Sequence, residues 1–128
     1  MKREATAVRS KRGLLARLSG RRAEVAAALL LMAKGYRILG FRLASHLGEI
    51  DLLALKRGVL VVVEVKQRTT LETALDAVSH VQRERLRRAG AKIAASRPAL
   101  KHAAIRLDLI ALAPGRWPRH IPDAWGGG

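Results

Sequence analysis

A chain of 128 residues can bury one hydrophobic core but not two independent ones. Its 49% hydrophobic content excludes a disordered chain, even though 25 Lys and Arg against 10 Asp and Glu leave a formal net charge of +15. The absence of cysteine excludes disulfides and thiolate metal sites and fits a reducing cytoplasm, and the longest apolar run, residues 25–33, is far too short to span a bilayer.

The excess positive charge favours a polyanionic partner, nucleic acid before an anionic membrane surface. Tyr36, Phe41, Trp117 and Trp125 are too few and too scattered to form a base-stacking platform, so phosphate contacts are expected to dominate.

In chain order, residues 1–18 carry six basic side chains and one acid with no sustained periodicity, as in a flexible basic arm or a tail that only aids solubility. The Ala- and Leu-rich stretch 21–34 predicts a helix closed by Gly35. Strands are expected over 36–43, 50–55 and 59–65, with Arg57-Gly58 as the tight turn between the second and third. Ser79 followed by Gln82 resembles a capping box and opens a helix reaching about residue 95, where Arg97-Pro98 ends it. A fourth strand follows over 105–112. Pro114, Gly115 and Pro118 then break regular structure, and 126–128 form a mobile tail. The expected fold is α/β: an α-β-β-β-α-β core with a central mixed sheet flanked by helices, in one domain spanning 19–125.

Four acids fall where ordinary surface charge is not expected. Glu24 lies on the first helix, and Glu49, Asp51 and Glu64 lie in or beside the apolar hairpin. A carboxylate there costs several kcal/mol, to order of magnitude, unless a cation or donor compensates it. With a two-residue turn, positions whose numbers sum to 115 face each other, so Asp51 meets Glu64 and Glu49 meets Lys66 on one face. Leu53, Leu55, Leu60 and Val62 complete that face as an apolar surface. Two adjacent carboxylates repel, and Mg²⁺ or Mn²⁺ is the usual means of keeping both ionised; Lys66 compensates as well.

Glu24, Asp51 and Glu64-Val65-Lys66, in this element order, resemble the PD-(D/E)XK nuclease superfamily. Gly48-Glu49-Ile50-Asp51-Leu52, Val63-Glu64-Val65-Lys66 with Arg68, and Arg106-Leu107-Asp108 resemble more narrowly the YraN-like family of predicted endonucleases, over roughly residues 19–125. The resemblance implies a restriction-endonuclease-like fold and metal-dependent phosphodiester hydrolysis on DNA. In that scheme Asp51, Glu64 and the Val65 carbonyl bind the metal, while Lys66 orients or helps deprotonate the attacking water. Junction-resolving relatives suggest branched or single-stranded substrates, and symmetric cleavage of two strands would call for a homodimer.

Each assignment has a structural alternative. Asp51, Glu64 and Lys66 could form a buried ion-pair network, and Glu49 could be partly solvated. Glu24 could simply favour its helix dipole. Gln82 is a catalytic candidate on the inward stripe Val78, Gln82, Leu86, Ala89 and Ile93, at a place where the resembling family often has Lys; it could equally be only a cap. Arg106 and Asp108 read better as a mutual pair than as catalytic groups. Arg68 continues the Lys66 face towards a phosphate. Arg83, Arg85 and Arg87, with Arg88 and Lys92, form either a track for a nucleic-acid backbone or a solvated face. His46, His80, His102 and His120 show no metal-ligand spacing.

The competing functions are therefore a Mg²⁺- or Mn²⁺-dependent DNA endonuclease and a non-catalytic protein that binds DNA or RNA on the same fold. A basic ribosome- or membrane-associated accessory protein ranks last, because overall charge is its sole support.

Overall fold

The computed structural model describes residues 21–126. The expected basic arm over 1–18 lies outside the described residues, as does all of the expected tail except Gly126.

Helix α1 covers residues 21–33 and ends as Gly35 predicts. Gly35 adopts φ +88°, its N–H bonds to the Met32 carbonyl at 3.0 Å, and the Tyr36 N–H reaches back to the Leu31 carbonyl at 3.0 Å. These two bonds satisfy carbonyls that the helix end would otherwise orphan, and Leu31 and Tyr36 join the same apolar cluster. The chain turns directly into β1 (Arg37–Leu43), followed by β2 (Ile50–Lys56) and β3 (Val59–Gln67).

Arg57 at φ +50° and Gly58 at φ +76° make the two-residue turn between β2 and β3, flanked by the pair Lys56 and Val59. Positive φ at both turn positions matches the twist of a hairpin. Helix α2 (Leu71–Asp76) and helix α3 (His80–Ser96) then carry the chain to a 3₁₀ turn at Pro98–Leu100, strand β4 (Ala104–Leu112) and the short strand β5 (Arg119–Ile121). The sheet order is β1-β2-β3-β4-β5, with β3 and β4 parallel and every other pair antiparallel.

The result is a five-stranded mixed sheet with helices on both faces, in the expected α/β class. Against one face, Ala27, Ala28 and Leu31 of α1 pack on Leu52, Ala54, Val61, Val63 and Ile110. Against the other, Leu86, Ala89 and Ala94 of α3 pack on Leu53, Leu60, Val62 and Leu107. Alternation along β2 and β3 assigns these two sets. Gly90 lets α3 approach closely, since a Cβ there would lie 2.6 Å from a Val62 methyl.

Two elements were not expected. Helix α2 opens with a reciprocal box between Thr70 and Thr73, in which the Thr70 hydroxyl accepts the Thr73 N–H at 3.1 Å. Strand β5 pairs Leu109 with Ile121 and Ile110 with His120, so regular structure resumes just beyond Pro114 and Pro118.

Candidate metal centre

The β2–β3 register runs from Lys56 opposite Val59 to Leu52 opposite Val63, so paired numbers sum to 115 and the ladder ends one position short of Asp51 and Glu64, whose side chains nonetheless interact. At that point a side chain takes over from the backbone ladder: Asp51 Oδ2 accepts the Val65 N–H at 2.9 Å. Strand alternation changes at the same place, because Ile50 clusters with Leu53 under α3 while Leu52 packs towards α1.

The partner strand is deformed too. Phe41 pairs with Leu52 and Leu43 with Ile50, which sets Arg42 opposite Asp51. Arg42 has φ +48°, a left-handed conformation costing a side-chain-bearing residue on the order of 1–2 kcal/mol. Its Nε lies 2.8 and 2.7 Å from the two carboxylate oxygens of Glu24 on α1.

Glu64 is buried on β3. Its Oε1 lies 3.1 Å from Lys66 Nζ, and its Oε2 is buried without a hydrogen-bond partner among the described residues. Burial pushes the Glu64 carboxyl up to about 7, the Asp51 charge pushes the same way, and Lys66 opposes both. Burial likewise raises Asp51 against the lowering effects of the Val65 N–H and Lys66, with Glu24 and Glu49 adding smaller upward pushes. The pair lies in surroundings where two negative charges are poorly tolerated without further positive charge.

Asp51, Glu64 and Lys66 are thus brought together, and Glu24 lies near enough to influence Asp51 while holding Arg42. Glu49 departs from expectation: it is exposed, stands before the first residue of β2, and does not pair with Lys66, which turns to Glu64. Because the Asp51 carboxylate replaces the ladder bond, and Gly48 turns the chain at φ +134°, the register no longer governs position 49.

Gln82 lies near the start of α3. Its backbone N–H bonds to the Ser79 hydroxyl at 3.1 Å, which is half of the expected box, and its amide side chain makes no hydrogen bond among the described residues. Arg68 is exposed at the end of β3, with Nη1 2.7 Å from the Gln67 carbonyl. Arg83 lies over the Trp125 ring at 5.6 Å, and Arg87 contacts Glu84 and the Gly126 carbonyl, so both tie the last residues of the domain to α3. Arg85 is exposed.

Among the described residues no three His, Cys, Asp or Glu side chains stand together as a metal-holding group. The convergent acids are a pair, and such a sparse set suits a small hard cation that keeps several waters and takes one or two carboxylates from the protein. The buried, unpartnered Glu64 Oε2 beside a second carboxylate fits that kind of ligand.

A separate polar cluster occupies the α1 face, where Arg106 and Asp108 neighbour Val61 and Val63 across the parallel pair. Arg106 holds both Asp108 oxygens at 2.8 and 2.9 Å, His120 Nε2 lies 2.7 Å from Asp108 Oδ2, and the Asp123 N–H donates at 3.0 Å. Burial would raise Asp108, but bonds from His120, Arg106 and the Asp123 backbone outweigh it and hold the carboxyl below its ordinary range. Arg106 also donates to the Tyr36 hydroxyl at 2.7 Å, and Lys34 Nζ lies 3.0 Å from His120 Nδ1. The mutual pairing of Arg106 and Asp108 agrees with expectation. The part played by His120 was missed, because a lone His on a three-residue strand gives no local signal.

The model of the uncharacterised protein family UPF0102 matches residues 23–112. A UPF0102 protein of Caulobacter sp. (strain K31) is 71% identical over 122 residues, covering 95% of this chain and 88% of that protein. One from Caulobacter vibrioides (strain NA1000 / CB15N) is 70% identical over 123 residues, covering 96% and 98%. Another, from Paramagnetospirillum magneticum (strain ATCC 700264 / AMB-1), is 46% identical over 110 residues, covering 83% and 85%.

Proposed function

The chain belongs to the uncharacterised protein family UPF0102, which is YraN-like, and we propose that it is a Mg²⁺- or Mn²⁺-dependent nuclease of the PD-(D/E)XK type that hydrolyses phosphodiester bonds in DNA. The observation that carries this reading is the buried Glu64 Oε2, left without a hydrogen-bond partner beside the Asp51 carboxylate. A buried charged oxygen without a partner is costly, and a ligand that completes it is the economical explanation.

Asp51 and Glu64, with the Val65 carbonyl, would hold the ion. Such a cation, when bound, supplies Lewis-acid stabilisation of the phosphate and a water of lowered pKa. Lys66, held at the Glu64 carboxylate, would orient the attacking water and, as an ammonium, stabilise the negative charge that develops around it. Arg42 pairs with Glu24, which leaves Glu24 as a compensated neighbouring carboxylate that pushes the Asp51 pKa upwards and engages Arg42 before any ion.

The test is cleavage of a panel of single-stranded, duplex and branched DNA and RNA by the purified protein with Mn²⁺ or Mg²⁺. Glu64→Gln and Lys66→Ala are expected to lower cleavage by roughly 100-fold or more while binding persists, as when a transition-state charge stabiliser is removed. A wild type that cuts nothing with either metal would refute the reading. The Glu64–Lys66 ion pair favours the rival, a nucleic-acid-binding protein on the same fold, because Lys66 already neutralises part of the site. Under that rival the two variants bind as wild type does and no cleavage exists to lose.

A further inference from the structure

Beyond Lys66 the C-terminal ends of β3 and β4 open into two adjoining hollows of about 470 and 210 Å³ that share Arg68, Thr69 and Ala113 in their walls. Arg22 of α1 borders the larger; Arg116, Trp117 and Arg119 border the smaller. No acid lines either hollow, and none of these four arginines pairs with a carboxylate among the described residues. Together they form one basic trough that leads away from the Glu64–Lys66 end of the hairpin.

Trp117 is the unusual member. It is 92% exposed, whereas Trp125 tucks its indole N–H against the Leu75 carbonyl at 3.0 Å and carries Arg83 over its ring. A Trp that neither packs nor bonds keeps a large apolar face in water, which a fold does not require. The chain from 113 to 118 is a short connection containing Pro114, Gly115 at φ +70° and Pro118, and β5 anchors Arg119 opposite Ala111.

The arrangement is thus an exposed indole, flanked along the chain by Arg116 and Arg119, at the rim of a cationic groove. Arginines alone would suit any phosphate backbone. An aromatic face adds something only for a base that is free to stack, since paired bases have their faces covered.

We infer that the trough binds an unpaired strand of DNA, with Trp117 stacking on a base while Arg68, Arg116 and Arg119 contact the flanking phosphates. This names a substrate class for the nuclease reading and rests on that reading only for its link to cleavage; the binding itself does not.

The decisive measurement is the affinity of the full chain for labelled oligothymidylate, and for the same strand in duplex with oligodeoxyadenylate, in the presence of a chelator so that nothing is cut. Trp117→Ala is expected to weaken single-strand binding roughly 5- to 100-fold, as loss of one base–aromatic stack does, and to change duplex binding less than about twofold. Trp117→Phe should restore most of the lost affinity. Arg116→Ala with Arg119→Ala should weaken both ligands, and single-strand binding should quench the indole emission in wild type but not in Trp117→Phe. Because Trp117 is exposed, an unchanged melting temperature will show that these variants fold.

Single-strand affinity unchanged in Trp117→Ala, or equal losses on both ligands, would overturn the proposal. So would a Trp117→Ala defect confined to phosphatidylserine vesicles run in parallel, which would assign the residue to a membrane surface. Cleavage by wild type with Mn²⁺ and no effect of Trp117→Ala on strand affinity would sink this inference and leave the nuclease reading intact. Trp117-dependent strand binding without cleavage by any metal would do the reverse.

Discussion

Glu64 and Asp108 are both buried acids in β-strands, yet their neighbours drive them in opposite directions. Asp108 receives four hydrogen bonds from Arg106, His120 and the Asp123 backbone, and its pKa falls. Glu64 has one cation at one oxygen, no donor at the other among the described residues and the Asp51 carboxylate beside it, and its pKa rises to about 7. The consequences for stability are opposite in sign. A carboxyl depressed by folding adds stability that is present above its unfolded pKa and disappears as the pH falls through the folded value. A carboxyl raised by folding adds stability that is full below the unfolded pKa and is lost as the pH rises towards the folded value, here about 7.

Glu64→Gln should therefore stabilise the metal-free protein at pH 8 by on the order of 1–3 kcal/mol, and the gain should shrink as the pH is lowered to about 4. Urea melts at the two pH values check this; an equal gain at both would remove the ionised Glu64 as its cause. Asp108→Asn should cost about 3–5 kcal/mol at pH 7, because it leaves the Arg106 guanidinium beside a neutral partner inside the fold. Its deficit relative to wild type should narrow as acid protonates Asp108 in wild type.

Gly90 shows how an element is placed rather than merely formed. In an exposed helix interior Ala is favoured over Gly by roughly 1 kcal/mol. Here an added methyl would meet Val62 at 2.6 Å and Ile105 at 3.3 Å, both on the strands that α3 covers. Gly90→Ala is expected to lose that propensity gain to overpacking and finish roughly 1–2 kcal/mol less stable, with Gly90→Leu several degrees lower again in melting temperature. If Gly90→Ala melts above wild type, the helix is free to move off the sheet.

The elements that could be read from the sequence were those whose signals are local. Gly35 ended α1, Arg57-Gly58 fixed the hairpin register, and Ser79 and Arg97-Pro98 bounded α3. Helix α2 escaped because its reciprocal cap uses Thr73 in place of the Glu or Gln that normally marks such a box. β5 escaped because three residues behind two prolines carry no periodicity; the strand exists through its pairing with β4 and the bond between His120 and Asp108.

At the scale of the whole molecule, charge and sheet architecture act on the same end of the fold. The excess of 15 positive charges has no direction in the sequence, where Arg and Lys occur throughout. Folding gives it one by gathering Arg22, Arg68, and Arg116 with Arg119, from three separate stretches of chain, beyond the end of β3. The acids of the candidate centre were legible because one hairpin holds them; the trough was not, because no single segment contains it. No helix among the described residues is long and apolar enough to cross a membrane, so the basic surface is not the flank of a helical span in this part of the chain.

Single-strand affinity should fall with added salt along a straight log–log line. If Arg68, Arg116 and Arg119 each displace a counterion, the slope is about −2, and removing Arg116 and Arg119 together should flatten it by about 1 to 1.5. Titrations between 50 and 300 mM salt, as rough working limits around physiological ionic strength, measure this directly. An unaltered slope in the double variant would place the contacted phosphates elsewhere.

The turn at Arg57-Gly58 has a consequence for how this site can vary. Every opposition in the hairpin, and through it the approach of Asp51 to Glu64, is counted from a loop of two residues. Because side chains alternate with a period of two, a single residue inserted there shifts the count by one. The slipped strand must then either turn Glu64 towards α1, exchanging a valine for a carboxylate in that core, or absorb the extra residue as a bulge before Leu53. Substitutions at 57 and 58 that preserve the turn should leave the site intact, whereas changes in length should separate its two acids without touching either. The loop farthest along the hairpin from Asp51 and Glu64 is therefore the ruler by which they meet.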